Sequence, residues 1–263
     1  MDIYLAATTG VTNFEQIICQ TRYLESFFNL ATFVDRKSPA VLQHKSLAKK
    51  FILDSGAFTY MKSNHNGKKP DWDTYIDEYS KYIVDNDIRQ YMELDMDNVV
   101  GYQKVLEFRK AIESKTGRQC IPVWHESRGF DEFRKMCDEY SYVAIGGMAV
   151  DSKNIKDTSR SDKQIEIISS LVAYAHKHNT KVHGLGFTTI QYLPKIHFDS
   201  VDSTSWLRAS VYGTLMYFDG NTIRRIEKRY RGEHLEGELT RVQLQEFNIR
   251  EWLKFAHYAK SNL

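Results

Sequence analysis

HFDSVDSTSWLR, residues 197–208, sets two acids, a run of hydroxyls and a tryptophan downstream of a glycine-rich turn, HGLGF, at 183–187. Phe198 and Val201 interleave with Asp199 and Asp202, which suits a short strand whose C-terminal end opens into a loop. A strand of that kind, with polar residues gathered at its C-terminal end, is the unit from which a β/α barrel builds its working face.

Working outward, short apolar runs recur at IYLAA (3–7), YLESFF (23–28), FILDSG (51–56), YMELD (91–95), CIPVWH (120–125), YVAIGG (142–147), KVHGLG (181–186) and FDSVDS (198–203). Eight such runs match the strand number of a barrel. The second of them also reads as the continuation of a helix starting at Asn13. Helical patterns lie between the runs at 72–86, 102–115, 130–139 and 163–178, so strand and helix alternate and the sheet is predicted to be parallel. Most of the runs end in a polar residue or a glycine: Asp54, Asp95, His125, Gly147, Gly186 and Asp202. Six ends ring the mouth of a closed barrel more naturally than they fill the crevice of an open sheet. Neither GxGxxG nor GxxxxGK[ST] follows any strand, which argues against a dinucleotide or P-loop site. The predicted fold is therefore a (β/α)8 barrel, one domain over 1–263, with a basic C-terminal segment, 211–263, packed on it.

Composition agrees with that size and constrains the rest. The chain has 263 residues, 42% of them hydrophobic, and a formal charge of +2, so any polyanion-binding surface must be local. It is found after Val211, where Arg224, Arg225, Lys228, Arg229 and Arg231 fall within eight residues. That patch reads either as a solvated face or as phosphate contacts beside the barrel mouth. Cys19, Cys120 and Cys137 are odd in number and widely spaced, which predicts reduced thiols, neither a disulfide framework nor a zinc knot, and a cytoplasmic protein. Neither a secretory leader nor an 18-residue apolar run is visible, so no membrane partner is expected.

Asp54 and Asp202, on different strand ends, have the character of the paired carboxylates of glycosyl transfer, in which one attacks or stabilises the anomeric carbon and the other moves a proton. Asp95 adds an acceptor suited to a purine edge. Plainer readings stand beside these: turn or cap acids at 54, 95, 97 and 202, core histidines at 125 and 183, and glycines that merely permit tight turns. Asp54, His125, His183 and Asp202 also form a ligand set of the metal-dependent hydrolase type.

LDSGAFT (53–59), LDMD (94–97), VWHE (123–126), IGGMAV (145–150), HGLGF and FDSVDS together resemble, in order, the tRNA-guanine transglycosylase superfamily, and most closely its phage DNA-guanine transglycosylase (DpdA) branch. The resemblance spans roughly residues 50–206. It implies Asp202 as the nucleophile on C1′ and Asp54 as the general acid/base. It further implies Asp95 and His125 on the base's Watson–Crick edge, backbone groups of Gly147 and Met148 on the base, Phe58 and His183 sandwiching its ring, and Ser55 bonding base or nucleophile. His125 stands where the tRNA enzymes carry glutamine. Ala57 and Thr59 depart from their DSGGF/Y-Gln pattern, and their zinc-binding cysteine cluster has no counterpart here, which favours DNA over tRNA as substrate. The implied partners are duplex DNA with its target base flipped out and a free 7-deazaguanine, with no cofactor and no metal. Trp206, Arg208, Arg224, Arg225, Lys228 and Arg229 are the candidate nucleic-acid contacts, with Phe58, Trp124, His183 and Trp206 available for stacking. The alternatives are the same exchange on tRNA, a metal-dependent barrel hydrolase and a catalytically silent nucleic-acid binding barrel.

Overall fold

A computed structural model of the protein describes residues 1–57, 59, 71–146, 158–187, 189–227 and 239–263. Seven parallel strands, β1 (Asp2–Ala6), β2 (Phe28–Thr32), β3 (Lys50–Asp54), β4 (Val123–Trp124), β5 (Tyr142–Ile145), β6 (Lys181–Gly184) and β7 (Ser200–Ser203), form one sheet in the order β3-β2-β1-β7-β6-β5-β4. Its two edges are both hydrogen-bonded to the segment 90–93. Leu53 N donates to Gln90 O and Met92 N to Leu53 O on one side, while Ile121 N donates to Tyr91 O and Glu93 N to Ile121 O on the other. The sheet is thus curled into a barrel-like ring, with two isolated bridges, Leu53 to Tyr91 and Met92 to Ile121, where a full eighth strand was expected. The ladder stops there because Val123 N, the next donor facing this segment, goes to the Glu93 side chain at 2.7 Å and not to its backbone. The helix Trp72–Asp85 ties this segment down, Tyr79 Oη donating to Met92 O at 2.9 Å.

Side chains alternate across the wall. Tyr4, Ala6, Phe28, Leu30, Ile52, Met92, Ile121, Val123 and Ala144 form one buried cluster, the filling of the ring. Their sequence neighbours face the helices: Ile3, Leu5, Trp124, Val143, Ile145, Val182 and Val201 belong to a second cluster, and Leu53 and Tyr91 to a third. The expected helices are found at Trp72–Asp85, Tyr102–Thr116, Phe130–Glu139 and Thr158–Lys177. Among the described residues, no helix is long and apolar enough to cross a membrane.

One expectation is corrected. The second apolar run does not form a strand over 23–28: Leu24–Ser26 is a 3₁₀ turn, and β2 begins at Phe28. The reason is tertiary, since Tyr23 packs on the His257 ring and Ser26 Oγ meets His257 Nδ1 at 3.1 Å, which holds this stretch against the C-terminal helix. The basic tail, read from sequence as a solvated face or as phosphate contacts, is a hairpin over its described part. After the helix Ser205–Val211 it forms an antiparallel hairpin, β8 (Thr214–Phe218) and β9 (Ile223–Glu227), closed by Asp219, whose Oδ1 accepts from Asn221 N and Thr222 N. The final helix, Arg241–Asn262, starts with a Thr240–Gln243 capping box and grips the hairpin: Asn248 Oδ1 accepts from Met216 N, and Glu251 Oε2 accepts from Phe218 N.

Candidate active site

Because every strand of the ring is parallel, the C-terminal ends of β3, β4 and β7 open at one mouth, together with the residues following 90–93. Asp54 is the last residue of β3, opposite Thr32 of β2. Its Oδ2 accepts from Gly56 N at 3.1 Å, and the Thr32 hydroxyl supplies a further bond. Burial, and then the nearby charge of Asp95, push this carboxyl up to about 7; the Gly56 N–H works the other way, and Asp202 adds a smaller repulsion. Electrostatics therefore couples the three acids at the mouth through Asp54.

Asp202 lies on β7 opposite Tyr4 of β1 and is 6% exposed. Its Oδ1 accepts from Gly186 N at 2.6 Å and from His183 Nε2 at 3.2 Å. Gly186 has φ +65°, a left-handed conformation that suits glycine and turns its N–H onto the carboxylate. Oδ2 accepts no hydrogen bond among the described residues. Asp95 is 9% exposed, and its Oδ2 meets His125 Nε2 at 2.9 Å. Burial raises the Asp95 carboxyl, opposed by the bond and charge of His125. His125 in turn needs Gly146: a Cβ there would stand 2.8 Å from His125 Cε1 and from Val123 Cγ1, so glycine leaves room for the imidazole.

Behind Asp95 is an ion cluster that the sequence reading missed. Glu93, fully buried, accepts from Arg109 Nε, Arg128 Nη1 and Val123 N, each at 2.7 Å, while Arg128 also grips both oxygens of Asp97 at 2.8 and 2.6 Å. A buried acid is tolerable only when paired in this way, and the pairing pins the 91–97 segment to β4. Only the acid four residues before Asp97, on an otherwise apolar run, signals it in the sequence.

Several expected roles are corrected by burial. His183 is 0% exposed, with the rings of Tyr4 and Tyr142 edge-on to it at 5.8 and 6.4 Å and both its nitrogens hydrogen-bonded, so it cannot stack on a base. The plainer reading of it as a core histidine is the one observed. Trp124 and Trp206 are also 0% exposed; their indole N–H groups donate to Gly129 O and Ser203 O, and neither faces solvent for a nucleic acid to reach. Ser55 is buried, and its Oγ accepts from Ala57 N at 3.4 Å, so it does not face a substrate. Arg208 and Arg225 are exposed; Arg224 is 62% exposed and paired to Asp219 at 2.7 Å. Phe58, Gly147, Met148, Lys228 and Arg229 lie outside the described residues. Among the described residues no three His, Cys, Asp or Glu side chains converge as metal ligands, which leaves the hydrolase set of Asp54, His125, His183 and Asp202 unassembled as such. A cavity of about 600 Å³ opens at the other end of the ring, lined by Asp2, Lys50, Tyr142, Asp199 and Ser200 among others, away from these acids.

No protein-family model matches the chain, and no curated protein does. Among solved structures, the aldolase QR15 overlays 78% of this chain and 89% of its own at 12% identity with a TM-score of 0.48. A complex of a GH113 β-1,4-mannanase overlays 70% of this chain and 72% of its own at 11% identity with a TM-score of 0.42.

Proposed function

We propose that this protein is a base-exchanging pentosyltransferase that replaces guanine in DNA with a 7-deazaguanine by double displacement. The observation that carries the reading is the division of labour between two mouth carboxylates. Asp54 is poised near neutrality, as a group that must give and take a proton requires, while Asp202 has one oxygen clamped by two donors and the other unengaged among the described residues.

In the first half, Asp202 Oδ2 attacks C1′ as the bond from C1′ to guanine N9 breaks, and Asp54 gives its proton to the departing base. In the second half, Asp54 takes the N9 proton of the incoming base, whose N9 displaces Asp202 from C1′. Two inversions retain the configuration of the sugar, and the same proton is returned. Asp95, fixed by His125, is an acceptor of the type that the N1–H and exocyclic amine of guanine require. The target base must leave the duplex stack to reach the mouth. The exposed Arg208 and Arg225, and Arg224 once released from Asp219, are the phosphate contacts in this reading.

The test is incubation of the purified protein with duplex DNA and labelled guanine or 7-cyano-7-deazaguanine. Label in DNA is the expected result. Label only in tRNA transcripts would move the activity to RNA, and label in neither polymer would overturn the reading.

A further inference from the structure

Inside the ring, directly beneath Asp202, runs a file of polar side chains in an otherwise apolar interior. Ser200 stands two residues before Asp202 on the same face of β7 and pairs in register with His183 of β6. His183 Nδ1 is 2.6 Å from Ser200 Oγ, the Ser200 hydroxyl is hydrogen-bonded to Tyr142 Oη, and His183 Nε2 is 3.2 Å from Asp202 Oδ1. His183, Ser200 and Asp202 are 0%, 2% and 6% exposed. The rings of Tyr4 and Tyr142 stand edge-on to His183, Phe28 packs on Tyr4, and Ala144 is the register partner of His183 on β5. Tyr142 and Ser200 also line the cavity at the far end of the ring, so the file connects that end to the mouth.

The polarity of the file follows from its ends. A carboxylate only accepts, so Nε2 carries the proton it shares with Asp202. In the Nε2–H tautomer the lone pair at Nδ1 accepts from Ser200 Oγ–H, and Ser200 Oγ is left to accept from the Tyr142 hydroxyl. Tyr142 is held as the phenol, burial raising its proton affinity above the ordinary tyrosine range, so that donor is always present. In that tautomer each link has one orientation compatible with the next.

We propose that Tyr142 and Ser200 are positioning residues which hold His183 as its Nε2–H tautomer, and that His183 thereby clamps Oδ1 of Asp202 so that Oδ2 is the oxygen presented at the mouth. The second part rests on the proposed role of Asp202; the first does not. The file explains why histidine and serine occupy lumen positions where β2, β3 and the 91–92 segment carry Phe28, Ile52 and Met92. None of the three touches the reacting atoms, and each acts through Asp202.

The experiment is long-range ¹H–¹⁵N correlation of the full chain labelled at histidine nitrogen, with the His183 signals assigned by their loss in His183→Gln. Wild type is expected to show a protonated Nε2 and a hydrogen-bonded, unprotonated Nδ1. Ser200→Ala should shift Nδ1 towards a free imidazole nitrogen, Ser200→Thr should restore it, and Tyr142→Phe, which changes no volume at Ser200, should move it in the same direction as Ser200→Ala but less. In the exchange assay Ser200→Ala should lower kcat about 10-fold with KM within 2-fold, and Ser200→Thr should recover most of that loss. A protonated Nδ1 in wild type, or a His183 spectrum unchanged by Ser200→Ala, overturns the clamp. The expected spectra with an unaltered kcat in Ser200→Ala overturn its role in orienting Asp202. The expected spectra with no exchange by wild type leave the tautomer clamp standing and refute the exchange reading instead.

Discussion

Replacing Asp54 with asparagine should stabilise the protein, and do so in a way that depends on pH. The carboxyl is raised from 3.8 to about 7 on folding, so the native state holds its proton where the unfolded chain has already lost it. The sign follows directly. Below about pH 4 both states are protonated and the residue costs nothing; between about 4 and 7 the unfolded chain ionises first and native stability falls; above about 7 the cost is constant. A separation of about three pH units corresponds to about 4 kcal/mol at 1.36 kcal/mol per unit, and water reaching the half-buried carboxyl at the mouth reduces this to about 2–4 kcal/mol. Asparagine keeps an oxygen for the Gly56 N–H and carries no charge beside Asp95 and Asp202, so the variant escapes the cost. Urea unfolding of both proteins at pH 4, 6 and 8 should show their difference growing from below about 1 kcal/mol to about 2–4 kcal/mol and levelling off above pH 7. The same variant should lose base exchange entirely, the pattern of a site that holds a destabilised group for use. A stability difference independent of pH, or a variant less stable than wild type at pH 8, would refute the assignment of Asp54 as the strained, proton-carrying acid.

If the proposed exchange operates, wild type should yield a denaturation-resistant protein–DNA adduct and Asp202→Asn should not; an adduct surviving in the variant would refute Asp202 as nucleophile. Arg128→Ala removes from a buried site the one cation that Glu93 and Asp97 share, leaving Glu93 to Arg109 and the Val123 N–H, and should cost about 3–5 kcal/mol in urea unfolding. A loss below about 1 kcal/mol would mean that the cluster does not hold the 91–97 segment. Charge reversal at Arg224 and Arg225 together should weaken DNA binding and make the slope of log K against log salt shallower by roughly 2, read by fluorescence anisotropy; an unchanged slope would place the hairpin outside the interface.

The alternation of short apolar runs with amphipathic segments was enough to predict a parallel, barrel-like sheet, because strand and helix periods are local properties of the chain. The same signal placed Asp54, Asp95 and His125 at strand ends, and these do come together at one mouth. It did not place β2, whose start is set by packing of Tyr23 and Ser26 on a helix more than 200 residues away. Nor did it show that the ring is joined through two isolated bridges at 91–92, a matter of how closely two distant edges approach.

The order of elements and the residue types at their ends are legible along the chain. Depth is set by packing. HGLGF reads as one loop-edge motif, yet Gly186 reaches the Asp202 carboxylate through its backbone, while His183, three residues earlier and in register with Ser200, sits in the layer beneath. Whether a side chain on the inner face meets substrate or becomes buried support depends on the stagger between strands. That stagger is fixed by hydrogen bonds between segments far apart in the chain, and no single run of residues encodes it.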